Sequence, residues 1–144
     1  MGSWGSKPFE NDTALDLWAD LRRSGDATSF SLTFHDALAR PDGYFDVADA
    51  EAIIAAGELV AAGLGYEGTD LPDGALVWAV GHRHELGGEV LELARQAVRR
   101  VHSKAPLLMD SWFSHEGAVA WLATVEDLAK RLELAGPHPG ATEE

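Results

Sequence analysis

The chain has no cysteine among its 144 residues. Disulfides, thiolate metal centres and cysteine nucleophiles are thereby excluded, and a reducing compartment is the natural setting for such a composition. Basic residues are scarce as well: 11 Lys and Arg face 24 Asp and Glu, a formal net charge of -13. That deficit argues against binding a nucleic-acid backbone by counterion release. Long apolar runs are also missing. No stretch approaches the roughly 18 apolar residues of a membrane span, and residues 2–20 hold no apolar core behind a basic start of the kind a secretory leader needs. The expectation is a soluble, cytoplasmic protein with neither a nucleic-acid nor a membrane partner.

The shortage of cations is sharpest in the middle of the chain. No Lys or Arg lies between Arg40 and Arg83, whereas Asp42, Asp46, Asp49, Glu51, Glu58, Glu67, Asp70 and Asp73 all fall there. Such a run favours solubility on its own. It also marks Asp42, Asp46, Asp49, Glu51, Asp70 and Asp73 as candidate binding residues if segment 41–82 forms one acidic surface that steers a basic protein.

Motifs that carry chemistry are few. There is no Gly-rich phosphate loop, no Gly-x-Ser-x-Gly elbow, no His-Glu-x-x-His pair and no Cys/His cluster. His82-Arg83-His84-Glu85 comes nearest. Two histidines two residues apart share a face on a strand but diverge on a helix, so they can ligate one metal only from extended backbone. His82, His84 and Glu85 are thus the donors available to an alternative reading, an enzyme of unknown reaction with a metal-dependent version. His35-Asp36 and His115-Glu116 are sequence neighbours that diverge on a helix and make no acid/base pair. No cofactor, catalytic residue or metal ligand is otherwise expected.

What the chain does have is apolar content, 46% with five Trp and five Phe, enough for one substantial core. Periodicity predicts how it is used. Asn11 or Asp12 can cap a first helix over about 13–23, with Ala14, Leu17, Trp18 and Leu21 on its buried face and Asp12, Asp16 and Asp20 outside. A second helix reaches Ala39 with Phe30, Phe34, Ala37 and Leu38 inward, and Pro41-Asp42-Gly43 turns the chain. Asp46 caps a third carrying Val47, Ala50, Ile53, Ile54, Val60 and Leu64 on one side, its alanines and Gly57 leaving room for a close neighbour. Leu76, Val77 and Val80 follow at helical spacing, although Val77 to Val80 also reads as a buried strand.

Glu89 to His102 repeats the helical pattern, with Arg95, Arg99 and Arg100 toward solvent, and Pro106 should interrupt it. Ser114 can cap a last helix with Ala118, Trp121, Leu122, Val125, Leu128, Ala129 and Leu132 inward. The sum is an all-α, single-domain orthogonal bundle of about five to six amphipathic helices over residues 1–136, with a polar tail at 137–144.

The opening carries a more specific signal. Trp4-Gly5, then Phe9-Glu10-Asn11-Asp12, then Trp18 on the first helix resembles the start of a bacterial family known as domain of unknown function 4259. Trp121 to Leu132 is similar to that family's closing helix. The family has no assigned activity, so the resemblance implies fold and extent and carries no catalytic residues across. The motif has a physical explanation of its own: Trp4 and Phe9 as apolar anchors, Gly5 for a close backbone approach, Asn11 and Asp12 for the free amides of the first helix. Small, acidic and without a catalytic constellation, the chain reads as a non-enzymatic protein-binding module, an immunity-type inhibitor or a regulatory adaptor for a basic protein. Contact between copies through Trp112-Phe113 would add a homo-oligomer.

Overall fold

The computed structural model describes residues 8–24, 28–41, 46–112 and 115–135. They form seven helices: α1 (Asp12–Ser24), α2 (Thr28–Ala39), α3 (Val47–Gly63), α4 (Ala75–Gly81), α5 (Arg83–Leu86), α6 (Glu89–Trp112) and α7 (His115–Ala135). No strand occurs among the described residues, so Val77 to Val80 is helical. Trp4, Gly5, Asp42, Phe113, Ser114 and the segment 137–144 lie outside them, as do the side chains of Trp112 and Ala118.

The bundle is organised around α3, which packs against all six other helices. Its periodicity suggests one apolar side, yet Ala50, Ile53, Ile54, Ala55, Ala56, Leu59 and Val60 are all buried. A helix apolar on every side can be stable only at the centre of a core. Small residues make that centre narrow enough. A Cβ on Gly57 would lie 3.1 Å from Leu128 of α7 and 3.3 Å from Val98 of α6, so both long helices press against the same spot. Gly63 plays the same part for α4: a Cβ there would stand 2.8 Å from the Ala79 carbonyl oxygen.

Around α3, the expected inward faces are in place. Ala14, Trp18 and Leu21 of α1, Phe30 and Phe34 of α2, Leu91, Ala94, Val98 and Val101 of α6, and Trp121, Val125, Leu128 and Leu132 of α7 join one apolar cluster. Asp12, Asp16 and Asp20 lie on the outside of α1.

Three expectations are corrected. The helix beginning at Glu89 does not stop before Pro106 but runs on to Trp112. Proline removes one hydrogen bond, and the packing of this helix against α2, α3 and α7 outweighs that local loss. Arg95 and Arg100 do not simply face solvent: Arg95 donates to the Leu132 carbonyl at 3.1 Å, and Arg100 to those of Ala37 and Leu38 at 3.1 and 2.9 Å. Each guanidinium thus reaches across to carbonyls of the last turn of a neighbouring helix, where a cation is favoured. Arg83 does the same for α3, donating to the Gly63 carbonyl at 2.6 Å. Finally, the apolar residues at helical spacing on α4 are not its buried side. Ala75 and Ala79 turn inward, and Leu76, Val77 and Val80 stay exposed.

Candidate functional site: an acidic groove beside a buried ion pair

Glu58 is a charge set deep in the apolar run of α3, and it is 4% exposed. A carboxylate so placed requires a partner, because an unpaired buried charge is strongly disfavoured. Arg131 of α7 supplies it, donating through its two terminal nitrogens to the two carboxylate oxygens at 2.9 and 2.7 Å. The same guanidinium donates to the Tyr66 carbonyl at 3.1 Å and, through Nε, to Asp127 at 2.8 Å. Burial alone would disfavour the Arg131 cation, but hydrogen bonds and charge from Glu58 and Asp127 more than offset it and hold its pKa above the ordinary arginine value.

This pair forms the floor of a groove of about 480 Å³. One wall is the α3–α4 loop, with Glu67, Gly68, Thr69 and Asp70; the other is α7, with Ala123, Thr124 and Asp127; Pro8 closes one end. Local chemistry fixes the loop. Gly65 takes φ +99°, a left-handed conformation suited to glycine, and the Tyr66 amide donates back to the Ala61 carbonyl at 2.8 Å. Gly68 lets the loop close over the pair, since a Cβ there would lie 2.8 Å from Glu58 Oε1. Asp70 ties the loop to the start of the chain by accepting from the Phe9 amide at 2.8 Å. The groove therefore presents four carboxylates, Glu58, Glu67, Asp70 and Asp127, against one guanidinium.

The residues singled out from the sequence separate into distinct places. Asp46 and Asp49 cap α3 reciprocally: each backbone amide donates to the other's carboxylate, at 3.0 and 3.1 Å. Partial burial raises the Asp49 pKa, the nearby Asp46 charge adding to it, while the hydrogen bond from the Asp46 amide and the charge of Arg40 oppose it. Glu51 is buried on α3. Asp70 lines the groove, and Asp73 is exposed just before α4. The six acids thus do not share one role: Asp46 and Asp49 hold a helix end, Asp70 holds a loop, and Asp42 lies outside the described residues.

His82 and His84 also part company. The His82 ring stacks on Trp78 with centroids 4.1 Å apart and its Nδ1 lies 2.8 Å from the Trp78 carbonyl oxygen, whereas His84 is exposed and 3.3 Å from Glu85. Among the described residues no three His, Asp or Glu side chains are grouped to hold a metal ion. No helix of the described residues is long and apolar enough to cross a membrane.

The described part of the opening motif is built into the fold. Phe9 and Trp18 are buried, and Asn11 ties the entry of the chain to α1, accepting from the Ala14 amide at 2.7 Å while its own side-chain amide donates to the Pro8 carbonyl at 3.3 Å. Asp12 is exposed in the first turn of α1. A family model described as "Domain of unknown function (DUF4259)" matches residues 2–131. The chain belongs to that family. In this DUF4259 domain the match spans the anchor at Phe9, the whole of α3 and the groove, ending at Arg131, the residue that pairs with Glu58. No curated protein and no solved structure matches the chain.

Glu58 and Arg131 escaped the sequence reading because 73 residues separate them. One signal was available. A lone carboxylate between Gly57 and Leu59, inside a run of small and apolar residues, marks a buried acid with a cation facing it.

Proposed function

We propose that this DUF4259 domain is a non-enzymatic binding module of the cytoplasm, an immunity-type inhibitor or regulatory adaptor, and that its partner is a basic protein. The disposition of charge supports the reading. Arg83, Arg95 and Arg100 are turned onto helix-end carbonyls and Arg131 onto Glu58. Glu67 and Asp73 are exposed, and neither has an ion pair among the described residues. With a net charge of -13, such a surface repels polyanions and draws in cations from a distance. Glu67 lines the groove wall and Asp73 stands further along the same segment, just before α4, so the partner's Lys or Arg side chains meet carboxylates that have no cation of their own among the described residues.

The test uses capture from a lysate of the native host at about 50 and 500 mM salt, where screening lengths differ several-fold. Glu67→Lys/Asp73→Lys is the informative variant, since both positions are exposed. Asp46 and Asp49 are unsuitable, because reversing either charge also breaks the cap of α3. A basic protein held by the wild type at low salt, and lost from the double variant, is the expected result. Retention of nothing, or of a protein held equally by both forms at both salt concentrations, would contradict the proposal.

A further inference from the structure

We infer that residues 67–70 are a gate over the Glu58–Arg131 pair, held shut by the bond between the Asp70 carboxylate and the Phe9 amide and able to open while the helices stay folded. Hydrogen bonds are unevenly spread along the segment that joins α3 to α4. At its start the Tyr66 amide donates to the Ala61 carbonyl at 2.8 Å, and the Tyr66 carbonyl accepts from Arg131 at 3.1 Å. At its end the Ala75 amide donates to the Pro72 carbonyl at 3.0 Å. Tyr66 and Leu71 are half-buried against the apolar core.

Between these fixed ends the chain is held at one point. Glu67, Gly68 and Thr69 make no hydrogen bond or ion pair among the described residues. Asp70 makes one, accepting from the Phe9 amide at 2.8 Å. Residues 67–70 also carry no apolar side chain larger than the methyl of Thr69, so burial does not bind them down. Segments with few hydrogen bonds and few apolar contacts open locally, at a cost far below that of global unfolding.

What this arch covers gives the latch its consequence. An added Cβ on Gly68 would stand 2.8 Å from Glu58 Oε1 and 3.3 Å from both terminal nitrogens of Arg131. Backbone thus shields the pair, 4 and 14% exposed, by touching it without bonding to it. The pair itself does not depend on the arch, because the bonds of Arg131 to Glu58, Tyr66 and Asp127 all lie on the fixed side. Opening therefore widens the groove, admits water to the pair and moves the exposed carboxylate of Glu67. Asp70 is the latch: loss of its one bond frees the arch on one side and the Phe9 amide on the other.

Proton exchange with water at the Arg131 Nη groups that donate to Glu58, followed by NMR in the whole wild-type protein and in Asp70→Ala, tests this. In the wild type the exchange should stay flat across low urea concentrations, where exchange of buried α3 amides rises steeply because it requires global unfolding. In Asp70→Ala it should be at least tenfold faster and still flat in urea. Asp70→Asn keeps an acceptor for the Phe9 amide and should give a smaller rise. Wild-type Arg131 exchange that climbs with urea as steeply as that of the α3 amides would mean that only global unfolding uncovers the pair, and would overturn the gate. Exchange in Asp70→Ala equal to that of the wild type would overturn it as well, since the pair would then meet water without any latch being released. Circular dichroism establishes that the variants are folded, and the urea dependence is read on the wild type whether or not they are.

Discussion

Asn11 shows how much one side chain of the opening motif does. Its carbonyl oxygen accepts from the Ala14 amide and its amide reaches back to Pro8, so the free N–H groups of α1 and the entry of the chain are fixed together. Asn11→Ala should cost about 1 kcal/mol, the usual worth of such a cap, read as a lower urea midpoint with an unchanged slope. Glu58→Ala is the more severe change. It leaves the guanidinium of Arg131, only 14% exposed, without its main partner, and a loss of about 3 kcal/mol is expected. Glu58→Gln, which keeps the shape and one acceptor, should lose less. Asp49 gives a dependence on pH. Its native pKa is raised above 3.8, first by partial burial and then by the charge of Asp46. An acid of that kind holds its proton more tightly when folded, so its contribution is fullest at low pH and falls as pH rises from the unfolded value through the raised native one. Asp49→Asn removes this term. Urea midpoints measured from about pH 3.5 to 6 should therefore shift in favour of the variant as pH rises, and a shift in the opposite direction would contradict the assignment.

At the scale of elements, the sequence was legible wherever a helix buries a single face. Ala14, Trp18 and Leu21, or Trp121, Val125, Leu128 and Leu132, repeat at helical spacing and are buried as a set. It was less legible where an element is buried on every side or packs through its smallest residues. The periodicity of α3 suggested one apolar side, yet six helices surround it, because its alanines and glycines admit neighbours on every side. For α4 the reverse holds: Ala75 and Ala79 are small enough for close approach to α3, so the larger Leu76, Val77 and Val80 are left outside. Pro106 misled for a third reason, since tertiary packing along α6 outweighs a single lost hydrogen bond. The contact between α3 and α4 can be tested at Gly63. A methyl group there meets the Ala79 carbonyl at 2.8 Å, a backbone atom that can move only with its helix. Gly63→Ala should destabilise by about 1–3 kcal/mol despite the better helix propensity of alanine, and a variant as stable as the wild type would mean that α4 packs more loosely than described.

For the molecule as a whole, the overall balance of charge was legible and its arrangement was not. Counting residues establishes the excess of acids, and the gap between Arg40 and Arg83 locates it along the chain. Only the fold separates acids that hold the structure, such as Asp46, Asp49, Glu58 and Asp70, from those facing solvent, such as Glu67 and Asp73. The same holds for the arginines, four of which reach across helices to carbonyls or to Glu58 through contacts 20 or more residues apart in sequence. The groove inherits this logic. Its floor is a neutralised pair, and its rim is acidic.

If the outer carboxylates steer a basic partner, association kinetics record it. With the captured partner in hand, rate constants are measured for the wild type and for Glu67→Lys/Asp73→Lys between about 50 and 500 mM salt. The wild-type association rate is expected to drop at least tenfold with salt, the variant to show a lower and flatter profile, and dissociation rates to change much less. An association rate indifferent to both salt and charge reversal would contradict it.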